Sequence, residues 1–212
     1  MMAEKRKNML DTAYHLFSET GIAAVSMADI ARATGYGNTT LHRYFSNKAA
    51  LVVAVATWKW EEYTWERLSA RGDDSWEKRP AAEQYAYFLD AFIDLYLNHR
   101  DMLRFNQFFN IYITSAQAKG EITGETLSPY EDMIHALNAR FARMYKKALT
   151  DGTLRVEEGK EKIFSSSLHL MLAAVTRYAV GLVYRPEDGT TPEEELNILK
   201  EMMINRYTVK KQ

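Results

Sequence analysis

The chain has 212 residues, of which 47% are hydrophobic and 26% charged, an ordinary composition for a globular protein with its own core. It contains no cysteine, which excludes disulfide bonds, thiolate metal ligands and cysteine nucleophiles. The net charge of −1 argues against a protein that coats nucleic acid over its whole surface, although the first 50 residues hold six lysines and arginines against four carboxylates.

Four helices are predicted in the N-terminal third. Apolar residues recur at helical spacing in the first of them, and the glycine at position 21 ends it. Ser26 and Asp29 have the spacing of a capping box for the second helix, which Gly35 ends. Asn47 caps the fourth. The predicted ranges are about 5–20, 26–34, 38–45 and 48–70.

Five more helices are predicted after residue 80, and the polar segments 71–79 and 119–127 are predicted to be loops. The helix over 80–99 is apolar on almost every side, which indicates burial at the centre of the C-terminal body. No strand pattern or internal repeat is visible, so the sequence predicts an all-α fold with about nine helices. The remaining predicted ranges are about 80–99, 101–118, 129–150, 157–184 and 193–207.

The second and third helices form a pair joined by a short turn that contains two glycines, which is the pattern of a helix-turn-helix. Leu41 and Phe45 anchor the third helix. Its other face carries side chains that can hydrogen-bond to DNA: Asn38, Thr39, His42 and Arg43. A short helix with small polar and basic groups on one face fits the major groove, where base edges offer donors and acceptors.

The stretch over residues 26–51 resembles the signature of the TetR (tetracycline repressor) family. The matching residues of the two motif helices and the segment after them are Ser26, Ile30, Ala31, Gly35, Thr40, Leu41, Tyr44, Phe45, Lys48 and Leu51. The preceding helix also fits, and the resemblance covers about residues 7–55, a quarter of the chain. It implies a transcriptional regulator that binds double-stranded operator DNA, has an N-terminal DNA-binding domain at 1–48 and uses residues 49–212 for ligand binding and dimerisation.

The resemblance also implies roles for individual residues. The DNA backbone contacts are expected from Thr40, His42, Tyr44 and Lys48. The residues expected nearest the base edges are Gly37, Asn38, Thr39 and Arg43. Ser26 is expected to cap its helix and to touch phosphate. The chain departs from the family in two places: His42 replaces a tyrosine, and Gly37-Asn38 replaces the usual Ser-Lys pair, which leaves the operator sequence open.

A small-molecule effector is predicted to bind in the C-terminal body, where aromatic residues are frequent and a few polar groups accompany them. The predicted lining residues are Trp58, Trp65, Phe88, Phe92, Asn106, Phe109, Asn138 and His169. The alternative for each aromatic residue is simple core packing, and His169 faces either a subunit interface, water or ligand.

A homodimer is predicted because small residues in the 157–184 helix permit close helix approach, and the resemblance implies a four-helix interface with the last helix. The predicted interface residues are Ala174, Arg177, Tyr178, Gly181, Met202 and Met203. Two-fold symmetry would present two recognition helices to a palindromic operator.

Two other classes of function stay open. One is a helix-turn-helix protein without a small-molecule inducer, and the other is an all-α enzyme or carrier. The five histidines are scattered, and no phosphate-binding glycine loop or nucleophile elbow is present. Glu131 and His135 are one helical turn apart, but a solvated pair is the simpler interpretation. We therefore expect no catalytic residues, no metal and no cofactor.

The expected location is the cytoplasm, with no membrane partner. No uninterrupted apolar run reaches the roughly twenty residues that span a bilayer. The N-terminal residues also lack the apolar core of a secretory signal.

Overall fold

A computed structural model describes residues 2–69, 76–181 and 186–209. In these ranges the chain forms nine α-helices, and the predicted all-α fold is confirmed. The helices are α1 Met2–Thr20, α2 Met27–Thr34, α3 Asn38–Tyr44, α4 Lys48–Ser69, α5 Ala81–Asn98, α6 Arg100–Ala118, α7 Gly124–Asp151, α8 Lys160–Val180 and α9 Pro192–Tyr207. Three short 3₁₀ turns cover Ile22–Ala24, Trp76–Lys78 and Val156–Glu158.

Two predicted boundaries are wrong. The loop predicted over 119–127 ends early, because α7 already begins at Gly124, and the amide of Thr126 lies 3.3 Å from the Thr123 hydroxyl oxygen. Pro129, predicted to open the helix, lies inside it. The helix predicted over 157–184 is divided at Gly159, whose φ of +82° breaks the helical path between a 3₁₀ turn and α8. Part of the predicted 71–79 loop lies outside the described residues.

Unit 1, the first of two compact units, contains residues 1–65 and 104–134. In this unit α1 packs on α2, and α2 packs on α3. Its core includes Phe17, Ile30 and Leu51, none of which is exposed. The ring of Phe105 in α6 lies 5.5 Å from the Tyr14 ring and 6.5 Å from the Phe17 ring, which joins α6 to the first helix.

Unit 2 contains residues 66–103 and 135–212. The predicted central position of α5 in this body is confirmed, since α5 packs against both α8 and α9. The buried Tyr85 hydroxyl lies 2.7 Å from Ser167 Oγ, and Ser167 Oγ donates to the Ile163 carbonyl at 2.6 Å. The single hydroxyl proton of Ser167 is used in that bond, so Tyr85 is the donor to Ser167.

The two compact units do not divide at residue 48, where the sequence predicts the domain boundary. Most of α4, most of α6 and the start of α7 belong to unit 1 together with the N-terminal helices. The functional division into a DNA-binding and a ligand-binding domain remains a prediction.

Within the described part of the chain, α8 is long and apolar enough to cross a membrane by length and composition alone. The helix packs against α5 and α9, and its buried residues include Ile163, Met171 and Val175. The central helices of water-soluble proteins share these properties, so the composition of α8 is weak support for a membrane span.

Candidate nucleic-acid interface

The first motif helix, α2, is closed at both ends by the residues predicted to do so. At its start the Asp29 amide donates to Ser26 Oγ at 3.1 Å, and the Ser26 amide donates to Asp29 Oδ2 at 2.9 Å, which completes a capping box. At its end Gly35 adopts a φ of +71°, the left-handed conformation that reverses the chain toward α3. Local sequence therefore sets both ends of the helix that precedes the turn.

The second motif helix, α3, is held by its apolar side. Leu41 is fully buried, and Phe45, which follows the helix, is 3% exposed. The residues on the opposite side are exposed: Asn38, Thr39, His42 and Arg43. At 100° per residue these four positions span an arc of about 140°. The helix thus presents one continuous polar and basic face, as the sequence predicts.

Cations from α1 and α3 lie around this face. The Arg6 guanidinium is 5.6 Å from the centre of the Phe45 ring, and the Lys5 ammonium is 5.8 Å from the centre of the Tyr36 ring in the turn. Arg43 lies 5.8 Å from the Tyr44 ring. The first helix therefore brings its basic residues beside the turn and the end of α3, an arrangement that favours contact with phosphates.

Asp29, the carboxylate of α2, is held by its own helix. Hydrogen bonds from the Ser26 side chain and backbone hold the pKa of the Asp29 carboxyl below its ordinary value, and Arg32 lies 3.3 Å away. Ser26 Oγ also donates to Asp29 Oδ2 at 2.6 Å. The Ser26 hydroxyl is therefore committed to the cap, and a phosphate contact would compete with this bond.

Two side chains of α6 contact the segments on either side of the helix-turn-helix, a role that the sequence did not predict for them. The Tyr112 ring centre lies 5.5 Å from the ammonium of Lys48, and the Phe108 ring lies next to Gly21. Burial lowers the pKa of Lys48, whose Nζ is 3.5 Å from the Ala23 carbonyl oxygen. The four-residue spacing of Phe108 and Tyr112 indicated a shared face, but not its partner.

Comparison with known proteins agrees with this geometry. The sequence pattern of the family described as "Bacterial regulatory proteins, tetR family" matches residues 9–55. The "Probable HTH-type transcriptional regulator ArpR" of Pseudomonas putida is 25% identical over 162 residues, which is 76% of either chain. At residues 9–55 the chain is therefore similar to the TetR family of transcriptional regulators.

Solved structures share the fold of this chain. A regulator from Saccharomonospora viridis in complex with choline has a TM-score of 0.70 and 15% identity, over 98% of this chain and 100% of that one. SmeT, the repressor of the Stenotrophomonas maltophilia multidrug efflux pump SmeDEF, has a TM-score of 0.61 and 20% identity, over 96% of this chain and 90% of that one.

The other predicted DNA contacts lie next to the exposed face of α3 or at the start of α4. Gly37 is exposed and precedes α3, Thr40 and Tyr44 are half-buried within α3, and Lys48 is half-buried at the start of α4. Their contacts with DNA stay predictions.

Four of the predicted ligand-binding residues lie in unit 1. Trp58 is half-buried, and Trp65 is 73% exposed. Phe109 is buried with its ring 4.8 Å from that of Tyr130, which is core packing. Asn106 is buried too, and its Nδ2 lacks a hydrogen-bond partner among the described residues. Of these four residues, Asn106 is the strongest candidate for a ligand contact, because a buried amide without a hydrogen-bond partner is unfavourable.

The other four predicted ligand-binding residues lie in unit 2. Phe88 and Phe92 pack edge to face, with ring centres 5.4 Å apart. Asn138 donates to Glu161 at 3.2 Å and accepts from Lys160 at 2.9 Å, so its amide is already paired. His169 is exposed on α8. The structure therefore separates the eight predicted residues into two groups, and their ligand role stays a prediction.

The predicted interface residues differ in exposure. Met202 is 62% exposed, whereas its neighbour Met203 is 4% exposed and packs inside unit 2. Arg177 is exposed and donates to the carbonyl of Gly181, which ends α8 with a φ of +122°. Ala174 is half-buried.

Tyr178, the remaining predicted interface residue, is half-buried and bonds to Glu195 of α9. Burial, together with that carboxylate, raises the Tyr178 pKa to about 12. Its hydroxyl therefore stays protonated at neutral pH and ties α8 to α9 within one chain.

Among the residues that the structure describes, no group of three or more histidine, aspartate or glutamate side chains is placed to hold a metal ion. Glu131 and His135 are both exposed on α7.

Proposed function

We propose that the protein is a cytoplasmic, non-enzymatic repressor that binds a palindromic operator as a homodimer and is released by a small, largely apolar or aromatic ligand. The observation that supports DNA binding best is the anchored α3, whose buried Leu41 and Phe45 hold Asn38, Thr39, His42 and Arg43 outward. The match of residues 9–55 to the TetR family and the similarity to a helix-turn-helix regulator support the same role.

Arg43 is the residue we expect to contribute most to base recognition. Its exposed guanidinium can bind a guanine edge through two hydrogen bonds, and Asn38 can do the same with adenine. Thr39 and Gly37 are proposed to approach base edges. The proposed phosphate contacts come from Thr40, His42, Tyr44, Lys48 and Ser26, whose hydroxyl would exchange its bond to Asp29 for one to phosphate. These side chains fix the position of α3 on the duplex without reading sequence.

A homodimer is proposed through α8 and α9. Leu170 and Val180 on α8 are 54% and 53% exposed, and Ile198 and Met202 on α9 are 54% and 62% exposed. Large apolar side chains that recur on two packed helices favour contact with a second copy. Dimerisation would place two α3 helices on half-sites about one helical turn apart.

Ligand release is proposed because the fold neighbour from Saccharomonospora viridis is in complex with choline, and because Asn106 carries a buried amide without a described partner. An aromatic or apolar molecule with one hydrogen-bonding group would suit such surroundings.

The test begins with selection of bound sequences from a random pool of DNA duplexes by the full-length protein. We expect the recovered sequences to share a palindrome, and the complex to contain two protein chains per duplex. Recovery of non-palindromic or random sequences would refute the operator proposal.

A thermal-shift screen with apolar and aromatic metabolites tests the ligand part. Stabilising compounds are expected to displace the selected duplex and to restore transcription from a promoter that contains it. Absence of stabilisation by every compound favours the alternative, a helix-turn-helix regulator without a small-molecule inducer.

A further inference from the structure

A groove of about 720 Å³ lies within unit 1, between the C-terminal end of α3, one side of α4 and the start of α7. Its floor is a stripe of α4 made by Ala50, Val53, Ala54 and Thr57. These positions share one helix face because they are three or four residues apart. The small side chains of Ala50 and Ala54 leave open space above the helix, and Trp58 borders that space.

The groove carries opposite charges toward its two ends. Arg6, His42 and Arg43 line it where α3 ends, just before α4 begins. Glu61 lines it eleven residues beyond Ala50, about 16 Å farther along α4. Within the described ranges, Glu61 forms no ion pair with the protein. Glu125, at the start of α7, is a second carboxylate in the lining. Along α4 itself the charge changes from the guanidinium groups near Ala50 to the carboxylate of Glu61.

Thr57, one of the floor residues, carries a polar atom that the protein leaves unsatisfied. Thr57 Oγ1 is buried and has no hydrogen-bond partner in the part of the chain that the structure describes. A buried hydroxyl without a partner is unfavourable. The groove therefore combines open space, small apolar residues and charges of both signs, and one of its lining residues carries an unpaired hydroxyl.

We propose that this groove is a binding site for an elongated zwitterion with an apolar body. The ammonium group pairs with Glu61, the carboxylate pairs with Arg6 and Arg43, and the body lies on Ala50 and Ala54. A carboxylate that faces guanidinium groups forms strong, charge-assisted hydrogen bonds. Trp58 is the one residue of this groove that the sequence also predicts for effector binding. The other lining residues are not among those predicted.

Occupation of the groove would act on DNA binding directly, a consequence that rests on the proposed function. His42, Arg43 and Tyr44 line the groove, and all three are proposed DNA contacts. A carboxylate bound by Arg43 competes with phosphate and base oxygens for the same guanidinium. The bound zwitterion therefore lowers DNA affinity without requiring a ligand in unit 2.

The direct test is calorimetry of the full-length protein without DNA, using 12-aminododecanoate as the probe. Dodecanoate lacks the ammonium group and dodecylamine lacks the carboxylate, so the pair are matched controls. We expect the zwitterion to bind about tenfold more tightly than either control, the effect of one charge-assisted hydrogen bond. Equal affinity of all three compounds, or binding by none of them, would overturn the proposal.

Two variants locate the binding. Glu61→Gln is expected to reduce the affinity for 12-aminododecanoate about tenfold and to leave that for dodecanoate unchanged. Ala54→Leu fills the floor and is expected to abolish binding of both. Glu66→Gln, an exposed position of α4 outside the groove, serves as control. Thermal melts verify that each variant is folded. Unchanged zwitterion affinity in folded Glu61→Gln contradicts the site.

A second measurement tests competition with DNA. Increasing 12-aminododecanoate is expected to raise the apparent Kd for the selected duplex in the wild type and to have no effect in Ala54→Leu. If the zwitterion binds in calorimetry but leaves the DNA affinity unchanged, the competition is refuted. Failure of the protein to bind any duplex would refute the proposed function. The calorimetry would still show whether the groove binds the zwitterion.

Discussion

The ammonium of Lys48 lies 5.5 Å from the centre of the Tyr112 ring, which joins the first turn of α4 to α6 within unit 1. The same ammonium is 3.5 Å from the Ala23 carbonyl oxygen, in the segment before α2. A single side chain therefore links three segments around the DNA-binding motif. This arrangement explains the half-buried position of a lysine that the sequence assigns to a phosphate contact.

The Lys48–Tyr112 pair is expected to contribute to stability through its cation–π contact. In a double-mutant cycle of Lys48→Met and Tyr112→Leu, we expect a coupling free energy of about 0.5–1 kcal/mol, measured by urea unfolding. Lys5→Met with Tyr112→Leu is the control pair and should be additive. A cycle without coupling would show that the two groups are neighbours without a stabilising contact.

Gly35 and Gly37 flank the turn and make a matched test of its geometry. Gly35 has a φ of +71°, whereas Gly37 has a φ of −66° that any residue adopts. No atom lies within 4 Å of a side-chain carbon added at either position. We expect Gly35→Ala to destabilise the fold by about 1 kcal/mol, and Gly37→Ala to leave stability unchanged or slightly higher.

The measurement is thermal or urea unfolding of both glycine variants beside the wild type. Equal losses of stability in the two variants would contradict the assignment of Gly35 as the left-handed cap of α2.

Asp151 caps the start of α5 from the far end of α7, and the bond depends on pH. Burial raises the pKa of the Asp151 carboxyl, but hydrogen bonds from the Ala81 amide at 2.8 Å and from Thr153 outweigh it, so the pKa lies below its ordinary value. Because the folded pKa is lower than the unfolded one, the contribution to stability is complete above about pH 4 and is lost as the pH falls through the folded value.

Asp151→Asn is therefore expected to lower the free energy of unfolding by about 1 kcal/mol at pH 7. The difference from the wild type should shrink as the pH falls below about 4, measured by urea unfolding at a series of pH values. A difference that persists at the lowest pH would show that the charge of Asp151 is not involved.

The proposed dimer interface predicts that charge on α8 or α9 separates the subunits. Leu170→Glu and Met202→Glu are each expected to convert the dimer to a monomer in sedimentation experiments, because a carboxylate buried in an apolar interface is strongly unfavourable. Leu149→Glu is the matched control, since Leu149 is also an exposed leucine, at 59%, on α7. Dissociation by Leu149→Glu alone would place the interface elsewhere.

Local patterns in the sequence predict the helix-turn-helix well because its signals lie within a few residues. The Ser26–Asp29 capping box and the Gly35 cap are both present as predicted. Asn47 caps α4 through a 2.9 Å bond from the Ala50 amide. The sequence also predicts the exposed face of α3, since Leu41 and Phe45 can only be buried together on one side.

Features that depend on distant contacts are not visible in the sequence. The bond from the Ala81 amide to Asp151 joins residues 70 positions apart, and no local pattern indicates it. The aromatic residues of α6 indicate burial, but not that Phe105 packs on α1. The groove beside α4 depends on the placement of α3 and α7, so spacing alone could predict only its floor.

The most direct test of DNA recognition is the affinity of full-length Arg43→Ala for the selected duplex over a range of salt concentrations. Arg32→Ala is the control, since Arg32 is an exposed cation of α2 that pairs with Asp29. We predict that the wild type binds the duplex tightly and with a strong salt dependence. The affinity of Arg43→Ala should be at least roughly tenfold lower, and this variant should discriminate less between sequences. Arg32→Ala should resemble the wild type. Wild-type protein that ignores duplex DNA at low ionic strength, or an Arg43→Ala variant with unchanged affinity and specificity, would contradict recognition through α3.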